Sequence, residues 1–136
     1  MREILFRGKR TGDEKWICGH LLEQNIPDCR SYIVMSIIAE LDNRHIEIMD
    51  FDINEVIPET VGQYTGLTDK NGVKIFEGDI IRFEDDIGYV IFTDDDASFL
   101  VDSPNRYIAM DYSSEFEVIG DIHDNPELLK VGDNNE

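Results

Sequence analysis

The sequence has little positive charge. Twelve Lys and Arg face thirty Asp and Glu, leaving a formal net charge of −18. Binding a nucleic-acid backbone directly needs clustered cations that displace counterions. The nearest approach to such a cluster is Arg7-Gly8-Lys9-Arg10, so nucleic acid is not an expected direct partner. Cysteine is equally scarce. Cys18 and Cys29 are too few for a disulfide framework and are expected to be reduced thiols. Long apolar runs are missing too. Stretches such as Ile33–Ala39 fall far short of the roughly 20 residues that span a bilayer, so no membrane partner is expected. No long apolar stretch follows Met1-Arg2-Glu3, so no secretory signal is read and the expected compartment is the cytoplasm.

What remains is ample for a core. The 136 residues are 41% apolar, with seven Phe and five Tyr. A chain of this size buries about 65–70% of its unfolded surface without staples. The expectation is a single domain over 1–136, with sub-lobes at 1–60 and 61–130 and a polar flexible tail at 131–136.

Short apolar runs broken by turn residues dominate. Ile4–Arg7 reads as a first strand and Thr11–Glu14 as a turn. Trp16–Cys18 reads as a hairpin return running on towards Leu22. Residues 23–30 have turn composition around Pro27. Ser31–Ala39 favours a buried strand, with a short helix over Met35–Leu41 as the alternative. Leu41–Arg44 carries a turn signal, and His45–Phe51 alternates as a half-buried strand does. Asn54–Thr60 reads as a connector, because Pro58 does not suit a central strand.

The most legible piece is Tyr64–Ile81, YTGLTDKNGVKIFEGDII. Tyr64 and Gly66 approach a tight reversal. Asn71-Gly72 predicts a type I′ hairpin, with positive φ at both residues. Glu77-Gly78-Asp79 predicts a second sharp bend, with Asp79 hydrogen-bonding the turn backbone. Strands follow at Ile80–Phe83, Tyr89–Phe92 and Ser98–Val101, and Tyr107–Tyr112 is a further candidate. In the last strand, Phe116, Val118 and Ile122 are expected on one face, with Glu117, Asp121 and Ile119 on the other. Asn125 as N-cap and Pro126 at the first helical position predict a short terminal helix. The fold class is therefore mainly β (α+β with little helix): N-terminal strands, a small antiparallel barrel-like C-terminal sheet, SH3-like in style, and a short C-terminal helix.

Three blocks, REILFRG, ETVGQYTGLTDKNGVKIFEGDII and FEVIGDIHDNPELL, occur in this order and frame nearly the whole chain. Together they resemble the YopX family of phage and prophage proteins. The resemblance implies a small phage-encoded protein, mixed but mainly β, in a bacterial host cell. Family members are variable in the region corresponding to about Cys18–Phe51. The resemblance identifies no catalytic residue, and His123 sits where such proteins often have an aromatic.

The spacing of the candidate ligands and bases matches no standard site. Cys18, His20 and Cys29 would supply three zinc ligands, but C-x-H followed by a distant Cys is no standard knuckle. Asp50 with Asp52, Asp85-Asp86 and Asp94-Asp95-Asp96 are oxygen-rich, yet neighbours on extended chain point to opposite faces. Glu77 and Asp79 flank Gly78, the pattern of a structural turn. His20, His45 and His123 lie in no hydrolase signature. Gly62, Gly66, Gly72 and Gly78 match no phosphate loop.

The expectation is thus a non-enzymatic accessory protein with no catalytic residue, metal or cofactor. It is expected to act through protein contacts, as a homo-oligomer or with a host or phage protein. Two alternatives stand beside it: a small metal-dependent hydrolase using loop carboxylates, and an acidic mimic of DNA that inhibits a host DNA-binding protein.

Overall fold

The computed structural model describes residues 3–25, 27–42 and 45–130. Side chains of residues 36–51 and 130 are outside that description, as is the tail expected at 131–136. The chain divides into two compact units, with the boundary between Gln63 and Tyr64. The architecture is mainly β, built from antiparallel strands with three short 3-10 segments.

The first unit is an antiparallel meander of β1 (Phe6–Lys9), β2 (Trp16–Gln24), β3 (Arg30–Asp42) and β4 (His45–Val56), in the order β4-β3-β2-β1. Strand β5 (Gly62–Thr68) starts here, with Gly62 opposite Arg7 and Gln63 opposite Phe6. The turn at Thr11–Glu14 is pinned by Asp13, whose carboxylate accepts from Arg10 Nε at 3.1 Å and from the Lys15 N–H at 3.1 Å. The Arg10 hydrogen bond, reinforced by the Lys15 N–H, pulls the Asp13 carboxyl down to about 2. Ile17, Ile33 and Val56 form the core, flanked by Phe6, Leu21 and Val61. Burying each aliphatic side chain contributes roughly 1.5–3 kcal/mol.

One local expectation holds here and two change. Residues 31–41 are strand, as expected, because β3 pairs with β4 from Ser31 to Asp42. The connector expected at Asn54–Thr60 begins later: β4 runs to Val56, which is fully buried, and only Pro58–Thr60 form a 3-10 turn. Thr60 fastens that turn, accepting the Lys9 N–H at 2.9 Å and donating to the Ile57 carbonyl at 2.6 Å. Cys18, expected as a buried residue of a strand, lies in β2 but on its exposed side, and Cys29 is exposed as well.

In the second unit β5 continues and pairs with β6 (Lys74–Phe76). Five further strands follow: β7 (Asp79–Phe83), β8 (Asp86–Thr93), β9 (Ser98–Asp102), β10 (Tyr107–Ala109) and β11 (Glu117–Asp121). Their sheet order is β10-β9-β8-β7-β11. Four consecutive strands form a meander. The chain then crosses through a 3-10 segment, Met110–Glu115, and its last strand returns to pair with the first. This is the connectivity of a small SH3-like barrel. The core gathers Ile75, Ile81, Phe83, Val90, Val101, Ile108, Met110 and Phe116. Phe83 and Phe116 meet edge to face at 5.3 Å, an arrangement worth about 0.5–1.5 kcal/mol beyond burial.

Strand β11 does not alternate simply. Val118 faces Ile81 and Gly120 faces Ile80, leaving Ile119 as the extra residue of a bulge. The bulge changes the phase, and Asp121, expected on the polar face, is 8% exposed. The terminal helix is a 3-10 segment, Pro126–Lys130, opened by Pro126.

Candidate functional site

The turn motif and a neighbouring cleft are the two places where the second unit gathers polar chemistry. In the turn motif, the Gly72 N–H donates to the Asp69 carbonyl at 3.0 Å and the Asp69 N–H to the Val73 carbonyl at 2.8 Å. Only Gly72 has positive φ, +81°; Asn71 does not. The hairpin is therefore a type I turn closed by a left-handed glycine, not the expected type I′. The residue that organises it is Asp69. Its Oδ1 accepts the N–H groups of Asn71 at 2.8 Å and Val73 at 2.9 Å, and its Oδ2 accepts the Val118 N–H at 2.9 Å. Burial pushes the Asp69 carboxyl up, but the three backbone donors outweigh it and hold the group below the usual carboxylate range.

The second bend follows the same principle. Asp79 is 2% exposed and accepts the Phe76 N–H at 2.7 Å. Gly78, at φ +94°, donates its N–H to the Val90 carbonyl at 2.9 Å, and its own carbonyl accepts from Ile122. Glu77 is half-buried at the corner of that bend. Tyr64 is buried against Phe76 at 5.5 Å, with Lys74 Nζ 4.9 Å over its ring. Gly66 does not open a reversal: it sits inside β5 at φ +91°, where the pairing between Tyr64 and Thr68 is irregular. Asn125 precedes the terminal 3-10 segment, and its carbonyl accepts the Leu128 N–H. Its side-chain oxygen caps backwards instead, accepting the Asp121 N–H at 3.2 Å. Asp121 in turn accepts the N–H groups of His123 and Asp124 at 2.9 and 2.8 Å. These carboxylates are spent on fixing backbone.

The cleft has a volume of about 380 Å³ and is lined by Phe83, Glu84, Arg106, Tyr107, Ile108 and Tyr112 among others. Its floor comes from the end of β7: the Phe83 ring lies 5.5 Å from the Tyr112 ring. Tyr112 is carried by the 3-10 segment and is 49% exposed, while Tyr107, on the edge strand β10, is 71% exposed. Arg106 borders the cleft. Its backbone is set by a turn in which Ser103 Oγ donates to the Arg106 carbonyl at 2.7 Å. Its Nε donates to Asp86 at 2.8 Å and its Nη2 to Glu84 at 2.9 Å, and the guanidinium sits 5.5 Å over the Phe83 ring. Asn105 completes the cluster, donating to Asp86 at 3.0 Å. The Asn105 hydrogen bond holds Asp86 below the usual carboxylate range; burial opposes it, and Arg106 adds to the lowering. Glu84 and Asp86 push the Arg106 guanidinium up. Glu84 adopts φ +55°, a left-handed conformation that non-glycine residues rarely take and that clusters at functional sites.

No serine, cysteine or histidine lines this cleft, and its charged side chains are occupied with one another. The metal-ligating candidates are scattered. Cys18, His20 and Cys29 lie exposed in the first unit, Asp94, Asp95 and Asp96 form an exposed turn, and His123 is exposed. Asp52 accepts from Asn54 at 3.2 Å, while the side chains of His45 and Asp50 lie outside the described residues. Among the described residues no three His, Cys, Asp or Glu gather as a metal site, and no helix is long and apolar enough to cross a membrane.

Sequence reasoning missed the roles of Asp69 and Asp121 and, in the Arg106 cluster, singled out only Asp86, as an oxygen-rich candidate. Asp69 did carry a signal, because Asp is favoured at the first position of a type I turn. Arg106 carried none, since its carboxylate partners lie about twenty residues away in the chain.

A small, mainly β protein built of antiparallel strands is thus the class that the fold defines. The family described as "YopX protein" matches residues 5–130, nearly the whole length, and the chain belongs to the YopX family. Among solved structures it is similar to protein EF1440 from Enterococcus faecalis, at 25% identity and a TM-score of 0.66. That match covers 95% of this chain and 99% of the other. No curated protein matches.

Proposed function

We propose that the protein is a non-enzymatic accessory protein of a phage or prophage. It works in the cytoplasm of the bacterial host through protein–protein contacts and is itself a homo-oligomer. The observation that supports the protein–protein contacts is the cleft. Exposed aromatic side chains beside a preorganised arginine are the residue types that concentrate binding energy at protein interfaces. Membership of the family supports the small accessory role, and the acidic charge supports electrostatically steered association.

Two measurements test it. Light scattering on the full chain should give a mass that is a multiple of 15.7 kDa; the mass of one chain removes the oligomer. Tagged protein expressed during prophage induction should retain a partner that the Tyr112→Ser variant loses. Equal recovery by both proteins removes the cleft from the contact.

A further inference from the structure

The chemistry of the cleft selects a class of partner, an inference that rests on reading the cleft as a contact site. Its apolar surface comes from Phe83 at the floor with Ile108 and Ala109, and two tyrosines stand exposed beside it. Strand β10 borders it and forms the edge of its sheet, but is only three residues long. A partner strand added there would gain few main-chain hydrogen bonds. Affinity must therefore come from ring faces. The segment that suits ring faces and needs no main-chain pairing is a polyproline II helix, whose backbone stays solvated and whose pyrrolidine rings point outwards. The volume agrees: about 380 Å³ lies at the small end of ligand clefts and holds a few side chains rather than a folded element.

Charge decides what flanks the prolines. Glu84, Asp86 and Arg106 together carry one net negative charge, because one guanidinium meets two carboxylates. Asp85 and Asp111, the chain neighbours of Glu84 and Tyr112, are exposed. The chain as a whole carries −18. An acidic flank is repelled here and a basic one is drawn in. The occupant is not a second copy of this chain, whose four prolines (Pro27, Pro58, Pro104 and Pro126) are all isolated. We propose that the Phe83–Tyr107–Tyr112 cleft binds a proline-rich segment flanked by Arg or Lys on a partner protein.

The test is a titration of the isotope-labelled full chain with the synthetic peptide RRPLPPLP, followed by amide chemical shifts. Shifts should concentrate at residues 83–86 and 106–112. Tyr107→Ser and Tyr112→Ser should each weaken binding about tenfold, the scale of losing one aromatic anchor. Both side chains are exposed, so the variant spectra should otherwise match the parent. Peptides EEPLPPLP and RRALAALA should each bind at least about tenfold more weakly. The proposal falls if no shifts appear at millimolar peptide, if both variants bind like the parent, or if EEPLPPLP binds as tightly. Loss of the cellular partner in Tyr112→Ser without any response to RRPLPPLP would leave the cleft as a contact site and remove the proline-rich occupant.

Discussion

Removing one oxygen from Asp69 should cost a substantial part of the second unit's stability. The carboxylate is 5% exposed and takes three backbone N–H groups, from Asn71, Val73 and Val118. A hydrogen bond to a charged acceptor contributes about 1.5–3 kcal/mol net. In Asp69→Asn the amide oxygen keeps the two turn donors, while the amide nitrogen meets the Val118 N–H as a second donor. One charged bond is lost outright and two become neutral, so the expected cost is about 2–3 kcal/mol. Asp69→Ala, which loses all three acceptors, should cost about 4 kcal/mol. Four of the five tyrosines lie from Tyr64 onwards, so near-ultraviolet circular dichroism reports on this unit. With a urea slope of about 1–3 kcal/mol per molar, the Asp69→Asn midpoint should fall by about 1 M or more. The pH dependence has a definite sign. The folded-state pKa of Asp69 is depressed, so its charge contributes stability that is complete above the unfolded value, about 3.9. That contribution is lost as pH falls through the folded value. The gap between parent and Asp69→Asn should therefore close as pH drops below about 4. A midpoint within about 0.2 M of the parent, or a gap unchanged in acid, would refute the clamp.

Other perturbations separate steric from electrostatic causes. Gly88→Ala places a Cβ 2.4 Å from the Asp102 carbonyl oxygen, a backbone clash in the middle of the sheet. It should destabilise by about 3 kcal/mol in thermal melts, whereas Gly12→Ala, with nothing within 4 Å, should be neutral. Gly19→Ala meets the Val34 carbonyl oxygen at 2.3 Å and should lower the transition reported by Trp16, the single tryptophan. Gly72→Ala forces alanine to φ +81° and should cost about 1–2 kcal/mol by the same melts. The Arg106 Nε–H should stay protected from exchange with solvent as pH falls through the ordinary carboxylate range. Its partner Asp86 titrates below that range, so protection lost at pH 4 or above would contradict the cluster.

The strands of the second unit were legible because their apolar runs stand between polar turns. Ile80, Ile81 and Phe83 are all buried, so β7 is covered on both faces, and the returns at β8 and β9 lie where apolar runs follow polar turns. What escaped was set at a distance or by a change of phase. Ile119 inserts one residue and turns Asp121 inwards, an event with no mark in the local composition. Gly66 looked like a reversal because glycine in a strand and glycine in a turn read alike. The choice between helix and strand at 31–41 depended on β4, a partner that hydropathy alone does not supply. The cleft was least legible of all. Phe83, Arg106 and Tyr112 sit in three different segments and acquire a common role only when β10 and the 3-10 segment fold past the end of β7.

The aspartates fastened to backbone also divide the chain's acidity into two populations. Among the described residues most acids face water, but Asp69, Asp79 and Asp121 are withdrawn and engaged. A water-soluble carbodiimide with an amine should label the first population quickly and spare these three while the fold persists. Their reactivity would then rise only on opening, so the same negative charges that keep the chain in solution carry three built-in reporters of when its turns let go.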